Sequence, residues 1–280
     1  MKQGKLYLCA TPIGNLEDIT YRVVRTLKEV DLIAAEDTRN SIKLLNHFDI
    51  KTPMTSYHEH NKIEKAEYLV GELLAGKNVA LITDAGTPGI SDPGEELVKM
   101  CYRDGIEVTS LPGAAACINA LAISGLSTRR FCFEAFLPTD KKREEILGSL
   151  KNETRTIIIY EAPHHLVKTL EQLRLALGDR RISLCRELTK VHETVFRDTI
   201  GGALEYYGAN EPKGEFVLVI EGRDPEDLKK EEQQKWKEIS VPDHIEMYVA
   251  EGLSRKDAIK RVATDRGVPK REIYKYTIDE

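Results

Sequence analysis

The apolar run Leu81-Ile-Thr83 leads directly into Asp84-Ala-Gly-Thr-Pro-Gly-Ile-Ser-Asp-Pro-Gly94, a turn that carries Gly86, Gly89, Gly94, Pro88, Pro93, Asp84 and Asp92. Glycine opens positive φ and close backbone approach, while proline fixes φ and removes a donor, so the segment continues neither a strand nor a helix. A stiff loop poor in side chains at the carboxyl end of a buried strand is the place where open α/β sheets receive ligands. The same residue types also build ordinary strand-to-helix turns. The length and density of this turn favour a site.

Short apolar, β-branched or aromatic runs at residues 5–10, 31–35, 79–83, 106–110, 131–136, 156–160, 181–186 and 216–221 read as strands. Between most of them lie amphipathic stretches at residues 20–30, 62–75, 95–103, 141–150 and 165–177, with apolar positions at helical spacing. This alternation predicts α/β layers. A small-residue helix after Leu111-Pro-Gly113 marks a boundary, giving an expected first α/β domain over 1–113 and a second over 114–223. A charged linker or solvated helix is expected over 224–240 and a helical C-terminal unit over 241–280. In that unit a helix pattern ends at Gly252, Ser254-Arg-Lys-Asp257 resembles a capping box, and Gly267-Val-Pro269 breaks the chain before a third helix. From Leu253 to Tyr276 eight Lys or Arg face three acids. This fits a helix-turn-helix unit on a nucleic-acid backbone, and equally a solvated helical cap or a dimer contact.

Across 280 residues the formal charge is −5, which excludes strong global attraction to polyanions, so any nucleic acid must meet a local patch. The five cysteines, Cys9, Cys101, Cys117, Cys132 and Cys185, lack C-x-x-C spacing and read as reduced, mostly buried thiols. No apolar run reaches the roughly 18 residues of a membrane span, and 6–10 is too short for a signal segment; a cytoplasmic protein without membrane contact is expected. Gly71 to Asn78 approaches P-loop spacing, but its glycines close a helix before a strand, the reverse of the required order, and no G-x-G-x-x-G occurs.

Four loops of similar position remain: Ala10-Thr-Pro-Ile-Gly-Asn15, the 83–94 turn, Leu111-Pro-Gly-Ala-Ala115 and Tyr160-Glu-Ala-Pro-His-His165. With Ala35-Glu-Asp-Thr-Arg39 and Arg186-Glu-Leu-Thr-Lys190 they occur in an order that resembles the tetrapyrrole methylase superfamily over essentially the whole chain. Within that superfamily the pattern is similar to bacterial enzymes that methylate a cytidine ribose 2′-oxygen in small-subunit (16S) ribosomal RNA. The resemblance implies two α/β domains of the class III methyltransferase type, S-adenosylmethionine in the cleft between them, and a homodimer. By position it implies that Pro12, Asp84, Gly86, Ile90, Ala115, Ala116, Ala162 and Gly214 line the cofactor pocket. Ala85-Gly86 stands where cobalamin-type relatives have Gly-Asp-Pro, which points away from a tetrapyrrole acceptor.

A ribose hydroxyl needs a base or a cation to become a nucleophile, so Asp37 or His58 as base and Arg39 as phosphate or oxyanion contact are the expected catalytic groups. The competing reading of this stretch is a helix N-cap, with Asp37 and Thr38 on backbone amides and Arg39 paired with an acid. His58 and His60 alone supply too few ligands for zinc, and no metal is expected. Small-subunit ribosomal RNA, within the assembled subunit, is the expected partner, with Arg186, Lys190, Arg255, Lys256, Lys270 and Arg271 as its contacts. The alternatives are a corrin or porphyrin C-methyltransferase and a non-catalytic ribosome-assembly factor.

Overall fold

The computed structural model describes residues 2–277. The first α/β unit runs β1 (Lys5–Cys9), α1 (Tyr21–Glu29), β2 (Leu32–Ala35), α2 (Thr38–His47), β3 (Met54–Ser56), α3 (Lys62–Leu74), β4 (Val79–Ile82), α4 (Gly94–Arg103) and β5 (Glu107–Leu111). Its strands pair in parallel in the order β3-β2-β4-β1-β5, with Leu6 beside both Val79 and Val108. Strands β2 and β4 are buried at every position because helices cover both faces of the sheet. Leu69, Leu73 and Leu97 pack on one face; Val23, Leu27 and Leu45 pack on the other.

The second unit begins with α5 (Ala116–Ile123) and continues through β6 (Phe131–Phe136), α6 (Lys142–Leu150), β7 (Thr156–Glu161), α7 (Leu166–Leu177), β8 (Arg181–Arg186), β9 (Thr194–Thr199), α8 (Ile200–Ala209) and β10 (Phe216–Ile220). Its sheet is mixed, in the order β6-β7-β10-β8-β9. β6 runs parallel to β7, while β10 runs antiparallel to both β7 and β8, and β9 antiparallel to β8. Helices α6, α7 and α8 bury Leu147, Leu170, Leu173 and Ala203 on one face; α5 buries Cys117, Ala120 and Leu121 on the other.

The α/β expectation holds, and the differences lie at short or exposed elements. β3 is a three-residue edge strand, and β9, Thr-Val-Phe-Arg-Asp-Thr, is a half-exposed edge that lacks an apolar run. α8 opens on Gly201-Gly202, where a Cβ on Gly201 would stand 2.8 Å from Asp179 Oδ1, the oxygen that accepts from the Gly201 amide. α2 begins at Thr38 with Asp37 as its N-cap, the helix start that the competing reading of that stretch gave.

The chain then forms α9 (Pro225–Lys235), which has no buried residue, followed by α10 (Val241–Ala250), α11 (Arg255–Asp265) and α12 (Lys270–Tyr274). These last three close around a small core of their own: Ile245, Ala258, Ile259, Val262, Ala263 and Ile273. Ser240 and Ser254 cap α10 and α11 by accepting from the amides of Asp243 and Asp257. Each serine hydroxyl also donates to the aspartate three residues on. Among the described residues no helix is long and apolar enough to cross a membrane.

Candidate functional site

In the first sheet the connection from β1 leads to one side and that from β4 to the other, although the two strands are neighbours. Such a reversal opens a crevice beyond the carboxyl ends of the strands. The loops that leave β1 and β4 are stitched together there. Thr11 and Gly86 exchange backbone hydrogen bonds at 2.9 and 3.0 Å, and the Thr11 hydroxyl donates to the Thr83 carbonyl. Gly86 has φ +87, a conformation that a side chain would strain. Thr87 Oγ1 donates to the Ala114 carbonyl, which ties in the loop after β5.

The second unit closes over this crevice. At Gly14 a Cβ would stand 2.4 Å from Lys190 Cγ and 2.8 Å from Thr189 Oγ1, so the first loop lies directly on the 188–190 segment. Between the units lies a cavity of about 510 Å³. Ile13, Gly86, Ile90, Ala115 and Ala116 form one wall; Phe131, Phe133, Phe136, Tyr160 and Leu188 form the other. Glu187, Lys190 and Glu215 supply its charged end. Lys190 Nζ donates to Glu187 Oε1 at 2.8 Å and to Glu215 Oε2 at 2.9 Å. Burial would raise the Glu187 pKa, but Lys190 and the Glu215 amide outweigh it and hold this carboxyl below its usual range.

Backbone strain gathers around this cavity. Ser91, Ala135, Glu187 and Thr189 adopt φ between +53 and +66, and each adjoins or is itself a lining residue; Asp49 alone of the described non-glycine residues with positive φ lies elsewhere. Such conformations persist where the surroundings hold them, commonly at ligand sites.

Of the residues expected at the cofactor, Gly86, Ile90, Ala115 and Ala116 line the cavity. Pro12, Ala162 and Gly214 stand next in sequence to the lining residues Ile13, Glu161 and Glu215. Gly214, at φ +79, has Glu187 folded over it, with Cδ 2.5 Å from where a Cβ would be. Asp84 adjoins Ala85 but turns toward β2, accepting from the Asp37 amide and from Asn40 Nδ2, both at 3.2 Å.

Asp37, Arg39 and His58 do not line the cavity. Asp37 caps α2, accepting from the Arg39 amide at 2.8 Å, and pairs with the Arg39 guanidinium through both carboxylate oxygens. The side-chain hydrogen bonds from Arg39 push its pKa down to about 2. Asp37 is thus a helix cap and the partner of Arg39, the competing reading of this stretch. His58 follows the edge strand β3; its amide donates to Asn61 Oδ1, and its Nδ1 is enclosed without a partner. Among the described residues no group of His, Cys, Asp or Glu is placed to hold a metal.

The expected RNA contacts separate into three groups. Lys190 lines the cavity. Arg186 leaves β8 on the face of Ile182 and Leu184, which pack with α7 and α8, opposite to the cavity-lining Cys185. Its Nη2 donates to the His192 carbonyl at 3.4 Å. Arg255 pairs with Glu246 across α10 and α11, whereas Lys256, Lys270 and Arg271 are exposed on the outside of the helical unit.

Sequence reasoning missed the aromatic wall from β6 and the role of Tyr160. Tyr160 Oη accepts from the Cys117 amide at the start of α5, and burial raises its pKa. Phe131, Phe133 and Phe136 within six residues were the available signal, but strand alternation alone puts Phe136 on the wrong face.

A family model described as "Tetrapyrrole (Corrin/Porphyrin) Methylases" matches residues 5–203. The chain belongs to the tetrapyrrole methylase family. Among curated members, "Ribosomal RNA small subunit methyltransferase I" of Halalkalibacterium halodurans is 52% identical over 97% of this chain and 94% of its own. The protein of the same name from Synechocystis sp. is 50% identical over 99% and 98%. That from Thermotoga maritima is 45% identical over 79% of this chain and all of its own length, 221 residues. In solved structures, diphthine synthase superposes with a TM-score of 0.62 at 14% identity, covering 78% of this chain and 90% of that one. Uroporphyrin-III-C-methyltransferase from Thermus thermophilus superposes at 0.56 and 19%, covering 78% and 94%. These structural likenesses carry the fold.

Tetrapyrrole methylases use S-adenosylmethionine as methyl donor, and the cavity fits that group. Its apolar walls suit adenine, its positive-φ Gly86 lets backbone approach closely, and Glu187 and Glu215 offer negative charge to a sulfonium and an ammonium. The donor supplies an electrophilic methyl group when bound. The chain has to align an acceptor with that methyl and keep water out.

Proposed function

We propose that the chain methylates a cytidine ribose 2′-oxygen in small-subunit ribosomal RNA. The observation that carries this reading is the 52% identity, over nearly the full length of both chains, with a protein named as a ribosomal RNA small subunit methyltransferase. The cavity supports it: its mouth carries exposed aromatic rings, which suit an unstacked nucleotide. Pro12, Asp84, Gly86, Ile90, Ala115, Ala116, Ala162 and Gly214 form or support the donor's seat. Arg39, 89% exposed in its side chain and steadied by Asp37, contacts a phosphate of the acceptor strand. Lys256, Lys270 and Arg271 hold backbone outside the cleft.

The domain division is proposed as 1–113, 114–223, 224–240 and 241–280, with the last part serving RNA capture. The length of the Thermotoga relative, 221 residues, is that of the two α/β units and supports this separation. A cytoplasmic homodimer acting on the assembled subunit completes the reading.

Incubation with labelled S-adenosylmethionine and assembled small subunits is expected to label one cytidine 2′-oxygen. Label on a base, or none, sinks the reading. Transfer to an added corrinoid, followed by absorbance, would instead favour the tetrapyrrole acceptor that the family description carries. Subunit binding without any turnover would favour an assembly factor.

A further inference from the structure

A β-bulge shapes the aromatic wall of the cavity. β6 pairs with β7 as Phe131↔Thr156, Cys132↔Ile157 and Phe133↔Ile158, then skips Glu134 and resumes as Ala135↔Ile159 and Phe136↔Tyr160. Partners across a ladder share a face, so the skipped residue changes the face of everything after it. Without the bulge, Phe136 would follow Cys132 onto the face of Ile157 and Ile159, which α6 and α7 cover. With it, Phe131, Phe133 and Phe136 all join Ile158 and Tyr160 on the cavity face. Bulges are rare between parallel strands, and this one places the non-glycine Ala135 at φ +53.

The strain does not bury Phe136. Its ring remains 60% exposed at the mouth of the cavity, edge-on to Tyr160 with centroids 5.6 Å apart, while Phe133 meets Tyr160 at 4.9 Å deeper in. A bulge that turns an aromatic ring out of a packed layer and leaves it in solvent beside a cavity gains nothing for the core. A flat apolar face in that position suits one chemical class, an aromatic heterocycle that stacks on it.

We infer that Phe136 is a stacking platform for a nucleobase of the acceptor strand. The inference rests on the RNA reading above and deepens it by naming a residue that grips the acceptor. The donor's adenine is a heterocycle too, but Phe136, 60% exposed at the solvent side of the cavity, is open to an incoming strand, whereas Phe133 lies deeper. An unstacked base laid on Phe136 would be held splayed from its neighbours with its ribose directed inward, as enzymes that act on single nucleotides require.

The test uses the full-length protein, Phe136→Leu and Phe136→Trp. It measures affinity for S-adenosylhomocysteine by calorimetry, methyl transfer to assembled small subunits as KM and kcat, and oligomeric state by light scattering. Phe136→Leu is expected to raise KM for the subunit roughly 5- to 100-fold, with Phe136→Trp restoring it and the calorimetric affinity unchanged. Weakened S-adenosylhomocysteine binding at unchanged KM would assign the ring to the donor's adenine and overturn the inference. So would a change of oligomeric state at unchanged KM, or no change in any measurement. If the wild-type protein transfers no label to subunits, the RNA reading itself fails; wild-type transfer with an indifferent Phe136→Leu defeats only the stacking role.

Discussion

Asp37 and Arg39 form a two-pronged ion pair, Nε to Oδ1 at 3.1 Å and Nη2 to Oδ2 at 2.8 Å, closed within one turn of backbone at the start of α2. With the Asp37 pKa near 2, the carboxylate stays ionised throughout the working range. Its folded value lies below the unfolded one, so the pair's contribution is present above about pH 4 and declines only in acid. The rate of methyl transfer between pH 5 and 9 is therefore expected to carry no inflection from Asp37, and Asp37→Asn should leave the shape of the profile intact. Arg39→Ala should weaken RNA binding and lower the slope of log affinity against log salt by about one, as the loss of one phosphate contact requires.

At Gly14 the seam between the two α/β units leaves no room for a side chain, a Cβ there standing 2.4 Å from Lys190 Cγ. Gly14→Ala must push the 188–190 segment away, and overpacking of this kind costs about 1–3 kcal/mol. Thermal unfolding should register that loss, and calorimetry should show donor affinity reduced about tenfold or more, since the cavity draws on both units. Gly148→Ala, in open space within α6, serves as the contrast and should stabilise by about 0.5–1 kcal/mol without touching affinity.

The C-terminal unit contains a pH-sensitive cluster with a built-in probe. His244 is fully buried, stacked on Trp236 with ring centroids 3.9 Å apart, and its Nδ1 accepts from Arg266 Nε at 3.2 Å. Asp265 lies 3.6 Å from Nε2, and Tyr248 packs against the ring. Burial, with Arg266 adding to it, lowers the His244 pKa below 6.5. Because the folded value is the lower one, neutral His244 favours the folded unit above about pH 6.5, and that stability is lost as pH falls below it. Trp236 is the sole tryptophan, so its fluorescence should change as pH drops from 7 toward 5, reversibly. His244→Phe should abolish the transition.

Removing residues 241–280 is expected to leave S-adenosylhomocysteine affinity within about twofold and to weaken subunit binding at least about tenfold. The two α/β units keep separate cores from the helical one, which has its own. Loss of donor binding on truncation would refute the division.

Much of the architecture was legible because buried strands such as Val79–Ile82 and Phe216–Ile220 are uninterrupted apolar runs, and because the glycine- and proline-rich loops announce where the chain must leave the sheet. The site was legible only in part. Gly86, Ile90, Ala115 and Ala116 come from loops whose composition is conspicuous. Phe136 depends on one skipped residue, a register event that local sequence does not encode, since Glu134 and Ala135 are unremarkable in a strand. Charge was misleading in a related way: the run containing Arg255, Lys260 and Arg261 reads as a basic face, yet Arg255 meets Glu246 of α10, and Lys260 and Arg261 meet Asp257 and Asp265 one turn away on α11 itself. A count of charges gives neither the local i,i+3 and i,i+4 pairs nor the one that crosses between helices.

Helix α9, eleven residues without a buried side chain, spans about 16 Å between the second α/β unit and the helical one. It is anchored at its start, where Arg223 meets Glu231 and Asn152. A spacer of fixed length is a ruler. In the proposed reading, a ribosomal strand held by the terminal helices would present the nucleotides within that reach to the cleft at a high effective concentration, and those beyond it would not. On that reading, choice among the many cytidines of a ribosomal subunit would be a matter of span as well as of chemistry.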